Sequence, residues 1–227
     1  MTKIRNPFGS LCKLGAALAV CVAASGAQAE AVVCATGGTI NSGGPGFGTL
    51  TETRNGAGLS ASRTCGVTDF DSFTTTATHT DVFSGFEWFS NQGTNSARVT
   101  YDLGSVTDID RFALWNEESS GIGNLNLSYS ADGTTFTSLL SGLLPTDHGV
   151  GSYAADVWSF ATISARYFRL DMSNCPQVIV GSFAACAIGE VLWDRGVRTS
   201  AVPEPGTLAL VGLALLGAGF IRRRRPD

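Results

Sequence analysis

The feature that most constrains the fold is a series of short alternating segments between residues 98 and 140. In residues 98–103 (RVTYDL) and 125–130 (LNLSYS), apolar and polar side chains alternate with a period of two, the pattern of a half-buried β-strand. Residues 112–115 (FALW) are apolar throughout, as in a central strand covered on both faces. The SADG sequence at 130–133 predicts a tight turn, and residues 136–140 form the returning arm of a hairpin.

Other segments extend the same β pattern. Residues 31–34, 157–160, 165–172 and 187–194 are strand-like, whereas residues 37–48 carry six glycines and one proline and are predicted to be loop. Residues 50–65 are ambiguous but are expected to hold a strand, and the Thr-rich residues 69–80 have a short β bias. No helical pattern is predicted before Gly206. The sequence therefore predicts an all-β fold, an antiparallel β-sandwich.

Both ends of the chain have the composition of targeting signals. Residues 1–29 combine a basic start, an apolar run over residues 14–24 and a small-x-small cleavage site (AQA) at 27–29, which predicts a secretory signal peptide and makes Glu30 the first exported residue. Near the other end, residues 206–221 form a 16-residue apolar run. As a helix it would span about 24 Å, which is short for a hydrocarbon core of roughly 30 Å but usable if the bilayer thins.

A cluster of four arginines follows this run and predicts the topology of the chain. Positive residues favour the cytoplasmic side, so the carboxyl end would stay inside and the preceding domain outside. The cluster consists of Arg222, Arg223, Arg224 and Arg225. We therefore divide the chain into a signal peptide (1–29), a β-sandwich (30–195), a linker (196–202) and a carboxyl-terminal segment (203–227) with a membrane helix at 206–221.

The charge of the exported part excludes one class of partner. Between Glu30 and Val202 there are 17 acidic residues and 8 arginines, a net charge of −9. A nucleic-acid-binding protein needs a basic face, so we predict no nucleic-acid partner.

Four cysteines remain after removal of the signal peptide: Cys34, Cys65, Cys175 and Cys186. An even number in an oxidising compartment indicates disulfides, with three pairings open. We favour Cys34–Cys65 and Cys175–Cys186, because each pair closes a sequence-local loop flanked by strand-like segments. Zinc is disfavoured, because no cysteine pair has metal-finger spacing and neither histidine lies beside one.

The sequence gives little support for catalysis. The Asp147-His148 pair lies in a polar loop, but neighbouring residues do not make a catalytic triad without a nucleophile within hydrogen-bond reach. Neither a G-x-S-x-G nor an HExxH motif occurs. The adjacent Glu117 and Glu118 are more typical of a turn than of an acid/base pair. We predict that the chain is not an enzyme.

Four motifs in order resemble the discoidin, or coagulation factor type C, domain of the galactose-binding-like class. They are VTYDLG at 99–104, LSYSADG at 127–133, ARYFRL at 165–170 and IGEV at 188–191. The resemblance covers residues 88–194 and implies a jelly-roll β-sandwich with ligands on loops at one end. Two sequence-local disulfides depart from the single bond that often ties the first and last strands of this family, and the amino-terminal third matches poorly.

The resemblance also suggests where a sugar would bind. An aromatic face beside polar groups suits a sugar ring, so the candidate ligand-binding residues are Trp158, Tyr153, His148 and Asp147. Trp88 has the position of a packing tryptophan, and Trp115 and Trp193 are expected in the core.

The resemblance raises the question of one cofactor, a structural Ca²⁺. Several members of the class carry such an ion near the region that here holds Asp69, Asp71 and Asp81. Oxygen ligands suit Ca²⁺, but the D-x-D-x-D-G loop is missing. We therefore predict surface carboxylates, with no metal site and no cofactor.

A second resemblance lies at the carboxyl terminus. Pro203-Glu204-Pro205, an apolar stretch and an arginine cluster follow each other as in the PEP-CTERM sorting segment. This implies a Gram-negative bacterium, transient inner-membrane anchoring and processing by an exosortase-type protease, with delivery to the cell surface or extracellular matrix.

Together these features predict non-catalytic binding of carbohydrate or exopolysaccharide. The alternatives are a structural biofilm-matrix protein without a small-ligand site, and an ice-binding or hydrolase accessory module.

Overall fold

The computed structural model describes residues 30–81, 85–177 and 183–196. Its strands are β1 (Val32–Val33), β2 (Gly37–Ser42), β3 (Phe47–Gly48), β4 (Thr78–His79), β5 (Trp88–Phe89), β6 (Ser96–Asn116), β7 (Asn124–Ser130), β8 (Thr137–Leu143), β9 (Tyr153–Ala154), β10 (Asp156–Ser173) and β11 (Ala187–Arg195). Its helices are α1 (Glu52–Asn55) and α2 (Phe70–Thr76). The predicted signal peptide, most of the linker and the carboxyl-terminal segment lie outside the described residues.

Two long strands build both layers of a β-sandwich. The first half of β6 pairs with β2 and with the second half of β10, and β7 and β8 continue this layer, here called sheet A. The second half of β6 pairs with the first half of β10 and with β11, and β1, β5 and β3 complete sheet B. Every pairing is antiparallel, and the predicted all-β sandwich is confirmed. The predicted strands at 157–160 and 165–172 are one continuous strand, β10.

Irregularities mark the places where the two long strands pass between the layers. The β6–β10 register shifts between Ser159 and Ile163 and again between Ala165 and Tyr167. Such bulges bend a strand and increase its twist. Gly104, at φ +86°, lies at the matching point of β6, in a backbone conformation that favours glycine. The bend separates the part of β6 in sheet A from the part in sheet B.

The main core lies between the sheets and follows from the alternation in the sequence. Val99, Tyr101 and Leu103 point inward from β6 and are buried, while Arg98 on the same strand is exposed. Trp193 of β11 is at the centre, with its ring 5.6 Å from that of Tyr101. Large aromatic side chains dominate core energetics because each buries a large apolar area.

A second apolar cluster covers the outer face of sheet B. Phe70 and Phe73 of α2 pack with Ala113, Trp115 and Leu192, and the Trp115 indole N–H donates to the Ala77 carbonyl at 3.1 Å. Residues 112–115 are therefore apolar on both faces because both faces are covered, as predicted. Trp88, Trp115 and Trp193 are all fully buried, which confirms their predicted packing roles.

The short β bias expected over residues 69–80 was wrong for most of that segment, which contains α2. Asp69 caps the helix by accepting the Ser72 backbone N–H at 2.9 Å. Phe70, Phe73 and Thr74 then fall on one buried face at i, i+3 and i+4. The prediction was wrong because the threonines of this segment favour strand, although the buried residues have helical spacing.

Two other local predictions also differ from the structure. Residues 37–48 are not loop throughout, because β2 pairs with β6 and β3 pairs with β5. Residues 50–65 hold the short helix α1 and only an isolated bridge at Leu59, not a named strand. In both places, pairing with distant segments decides the conformation, and local composition carries little of that information.

Both predicted disulfides are present. Cys34 and Cys65 join the end of β1 to the segment before α2, with Cα atoms 5.7 Å apart. Cys175 and Cys186 join the end of β10 to the start of β11, with Cα atoms 5.0 Å apart. Both distances are typical of disulfides. Each bond therefore fixes a segment next to the end of a strand of the sandwich.

None of the helices within the described ranges has the length and apolarity needed to cross a bilayer. The predicted membrane helix at 206–221 lies outside those ranges.

Candidate functional site

The outer face of sheet A carries an open polar cleft of about 520 Å³. Strands β2, β6 and β10 form its floor, and the turn between β7 and β8 forms one side. The side chains that line it include hydroxyl, amide, charged and aromatic groups, from Thr39, Asn41, Arg98, Thr100, Asp102, Phe136, Tyr167 and Arg169. The cleft therefore presents hydrogen-bond donors, acceptors and aromatic surface together.

Strand register places these side chains in rows across the sheet. Thr100 is opposite Thr39 on β2 and opposite Arg169 on β10. Asp102 is opposite Tyr167, and Arg98 is opposite Asp171. They point outward because the residues that alternate with them on β6 and β10 are buried in the core. Arg166 reaches the same face beside Tyr167, at the register shift between Ala165 and Tyr167. The same alternation that builds the core thus builds the polar face.

The charges on this face are largely compensated. Arg166 donates two hydrogen bonds to the Asp102 carboxylate, at 2.8 and 2.9 Å. This bond lowers the pKa of Asp102, and Asp102 in turn raises the pKa of Arg166. Arg98 donates to Asp171, whose other oxygen lies 3.7 Å from Arg169 Nε. Two carboxylates therefore serve three guanidinium groups.

Aromatic rings support the arginines at the edge of the cleft. The Arg169 guanidinium lies 4.1 Å from the centre of the Phe136 ring, and that of Arg166 lies 4.9 Å from the centre of the Tyr167 ring. The predicted turn holds this edge in place, because Asp132 accepts the backbone N–H groups of the two threonines that follow Gly133. A Cβ atom at Gly133 would lie 3.1 Å from the Tyr167 ring, so the turn packs closely on it.

The four predicted ligand-binding residues lie elsewhere. Trp158 is on β10, half-buried, and stacks on Phe112 with ring centres 5.8 Å apart. Tyr153, expected in a loop, is on β9 with its ring buried, and its hydroxyl lies 3.0 Å from Nδ1 of His79. His148 and Asp147 are in the predicted loop, half-buried, and the His148 ring lies 5.5 Å from that of Tyr153.

The structure brings only some of these residues together. Tyr153 and His148 are in ring contact, whereas Trp158 packs on the main core and Tyr153 on the second cluster. Because these clusters lie on opposite faces of sheet B, Trp158 and Tyr153 do not share a surface. As placed, the buried Tyr153 ring offers no open face to a sugar.

A buried acidic cluster surrounds Tyr153. Glu87, Glu117, Glu118 and Glu190 are each 2% exposed or less. Glu117 accepts the backbone N–H groups of Ser119 at 3.0 Å and Ser120 at 2.6 Å, so the predicted turn exists but is buried. Glu190 accepts from Arg63 at 2.8 Å and from the Gly56 backbone N–H at 2.9 Å.

Burial controls the titration of this cluster. It raises the pKa of Glu87 to about 7, and it raises the pKa of Glu190 to about 8 although Arg63 opposes the shift. Burial and the neighbouring Glu118 also raise the pKa of Glu117, while burial lowers the pKa of His79. These groups are enclosed, so the cluster does not present an acid/base pair to a ligand.

Models of two protein families match the chain. The model of the F5/8 type C domain matches residues 68–184. The chain belongs to this family. A second match, to the PEP-CTERM protein-sorting motif, covers residues 201–225, beyond the described residues. No curated protein matches the chain.

Several solved structures are similar to this F5/8 type C domain. A truncated AlyQ with CBM32 and alginate lyase domains is 16% identical with a TM-score of 0.50, covering 76% of this chain and 35% of that one. Chitosan-binding module 1 from a chitosanase/glucanase of Paenibacillus sp. IK-5 is 17% identical with a TM-score of 0.46, over 72% and 97%. The CBM32 of AlyQ in complex with 4,5-unsaturated mannuronic acid is 17% identical with a TM-score of 0.42, over 71% and 96%.

The aspartates of the amino-terminal third, predicted to be surface carboxylates, have separate positions in this F5/8 type C domain. Asp69 caps α2, and Asp71 pairs with Arg111. Within residues 30–81, 85–177 and 183–196, no three His, Cys, Asp or Glu side chains are placed to hold a metal ion. The three aspartates Asp69, Asp71 and Asp81 are exposed at the surface.

Sequence patterns contain the residues of the cleft but do not identify them as one site. Arg98, Thr100 and Asp102 are the polar members of the first alternating segment, and Tyr167 and Arg169 belong to the ARYFRL motif. Alternation shows that they point outward. Only the pairing of β2, β6 and β10 shows that they share one surface.

Proposed function

We propose that the exported domain binds carbohydrate polymers without catalysing a reaction, and that the cleft on sheet A is its binding surface. The observation that carries the proposal is the composition of this cleft: an open polar floor flanked by the Tyr167 and Phe136 rings. Sugars present hydroxyl groups at their edges and C–H groups on their faces. Such a ligand needs dense hydrogen-bonding groups beside an aromatic surface.

The shape of the cleft favours a polymer over a single sugar. Its lining residues come from three adjacent strands and from the β7–β8 turn, and neighbouring strands are about 4.8 Å apart. The polar rows continue past the cleft through Asp171 to Asn126 on β7. A polysaccharide lying across the strands would meet similar groups at successive sugar units.

The comparisons support carbohydrate as the class of ligand. The names of the similar structures include a chitosan-binding module and a CBM32 bound to a mannuronic acid derivative. The sorting motif supports a site of action outside the cytoplasm, at the cell surface or in the extracellular matrix of a Gram-negative bacterium. An exosortase-type membrane protease is the expected processing partner, after transient anchoring through residues 206–221.

Polysaccharide binding by the full-length chain in detergent tests the proposal. We expect saturable binding to at least one polymer of a panel of neutral, amino and acidic polysaccharides. Tyr167→Ala should weaken it about tenfold, the size of one lost aromatic contact. Trp158→Ala is the matched control, because Trp158 lies away from the cleft.

The outcomes separate the candidate roles. Loss of binding on Trp158→Ala but not on Tyr167→Ala would place the site away from the cleft. A folded chain that binds no polymer would favour a structural matrix protein.

A further inference from the structure

We infer that the cleft selects polysaccharides that carry carboxylate groups, with Arg169 and Arg98 as the residues that recognise them. The inference rests on the proposed function and names its ligand class. It is drawn from the placement of the two arginines and of their partners on the outer face of sheet A.

The charged side chains that line the cleft are those of Arg98, Asp102 and Arg169. Arg166 and Asp171 lie beside them on the same face. Arg166 neutralises Asp102 through both of its oxygens. The carboxylate of Asp171 is shared by Arg98 and Arg169, and Asp132 at the edge of the cleft accepts hydrogen bonds from its own turn. Arg98 and Arg169 therefore have one carboxylate between them.

The Arg169 guanidinium is held at the edge of the cleft, where a ligand carboxylate could pair with it. Its Nε is buried and makes no hydrogen bond within the described part of the chain, and the nearest carboxylate oxygen, on Asp171, is 3.7 Å away. Its guanidinium plane is supported by Phe136 at 4.1 Å. The group also lines the cleft. Nε is closed to a ligand, so a carboxylate would be bound by the two terminal nitrogens of the guanidinium, which Phe136 supports at the edge of the cleft.

Arg98 supplies a second point of attachment two residues along β6 from Thr100. Its side chain is 47% exposed, and within the residues that the structure describes it pairs with Asp171 alone. Surface pairs of this kind are weak, so a ligand carboxylate can replace Asp171 at small cost. Two arginines on adjacent strands would thus meet charges on nearby units of one polymer.

The acidity of the whole domain does not oppose this selection at physiological salt. The screening length there is about 8 Å, so exposed charges on the far side of the sandwich have little effect in the cleft. The charges that line the cleft decide its preference.

The test compares one polymer backbone in two charge states. Polygalacturonate and alginate would be measured against their methyl esters at 0.15 M salt, using the full-length chain in detergent. We expect the acid forms to bind about tenfold or more tightly than the esters, as for one charge-assisted hydrogen-bonding pair. Arg169→Met should remove this preference. Arg169→Lys should keep only part of it, because lysine lacks the planar guanidinium that binds a carboxylate through two hydrogen bonds.

Two further variants keep the result interpretable. Arg98→Met changes an exposed side chain, so it tests the same preference even if Arg169→Met disturbs the sheet. Arg195→Met removes one positive charge from the end of β11, outside the cleft, and should leave the preference unchanged. Thermal unfolding of each variant confirms that it is folded.

Each outcome bears on one of the two claims. Equal binding of acids and esters would overturn the inference and leave carbohydrate binding standing. A preference for the acids that survives both cleft variants would also overturn it. Binding of no polymer at all would overturn the proposed function as well.

Discussion

Replacing Arg111 with methionine should destabilise the domain by several kcal/mol, in a way that depends on pH. Arg111 of β6 joins three carboxylates from separate parts of the chain. Its Nε donates to Asp194 at 2.8 Å, and its other nitrogens pair with Glu30 and Asp71. The guanidinium also lies 4.9 Å from the centre of the Phe70 ring. The variant therefore removes the ion pairs that link Glu30, at the start of the domain, and Asp71 of α2 to sheet B.

The magnitude follows from the burial of the three partners. Glu30 and Asp71 are 44% and 61% exposed, so each of those pairs contributes at most about 1 kcal/mol. The Asp194 side chain is fully buried, and removing the partner of a buried charge costs about 3–5 kcal/mol. We expect a total loss of about 4 kcal/mol at pH 7.5. For a domain of this size, Tm would fall by roughly 8–16 °C.

Titration of Asp194 sets the pH dependence. Burial raises its pKa to about 6, although Arg111 opposes the shift. A carboxyl group with a raised pKa binds its proton more tightly in the folded state, so its contribution to stability is lost as pH rises through that value. Without Arg111 the pKa rises further. The loss caused by Arg111→Met should therefore be smaller at pH 5 than at pH 7.5.

Urea unfolding followed by tryptophan fluorescence measures both effects. Arg98→Met is the matched control, because its pair with Asp171 is at the surface and should be worth less than about 1 kcal/mol. Adding Asp194→Asn to Arg111→Met should recover part of the loss by removing the unpaired charge. A loss below about 1 kcal/mol at pH 7.5, or one of equal size at both pH values, would refute the reasoning.

Three other predictions concern titration, covalent links and sorting. Burial raises the pKa of Glu87 to about 7, so the unfolding free energy should fall between pH 5 and pH 8, and Glu87→Gln should flatten that dependence in urea titrations. Replacing Cys175 and Cys186 with alanine should cost about 3 kcal/mol, from the loop entropy of an 11-residue separation; an unchanged unfolding midpoint would contradict this. Replacing residues 203–205 with alanine should hold the protein uncleaved in the membrane fraction, and unchanged release into the medium would argue against exosortase processing.

Much of the fold could be predicted because burial on one face leaves a period of two in the sequence. Residues 98–103 and 125–130 lie in β6 and β7 as expected, and both disulfides join the predicted partners. Helix α2 also had a local signal, an Asp69 cap followed by buried Phe70 and Phe73, but its threonines suggested strand. Strand β2 had no such signal, because it forms by pairing with β6.

The cleft could not be predicted in the same way. Its residues come from segments far apart in sequence, and they share a surface only through strand register: Thr39 meets Thr100, and Thr100 meets Arg169. The prediction of Trp158 and Tyr153 rests on their aromatic character, but composition does not distinguish a ring that stacks on the core from one that faces a ligand. That distinction depends on which layer covers each face.

The pairing of β1 with β11 brings the first and last strands of the domain together. Val32 is opposite Asp194, and the Arg195 backbone N–H donates to the Ala31 carbonyl at 3.1 Å. The chain therefore enters and leaves the sandwich at one place. Domains with adjacent termini can be inserted into a host loop or circularly permuted with little strain. We therefore expect that this domain can be inserted into a loop of another protein through short linkers, with the strands that form the cleft unchanged.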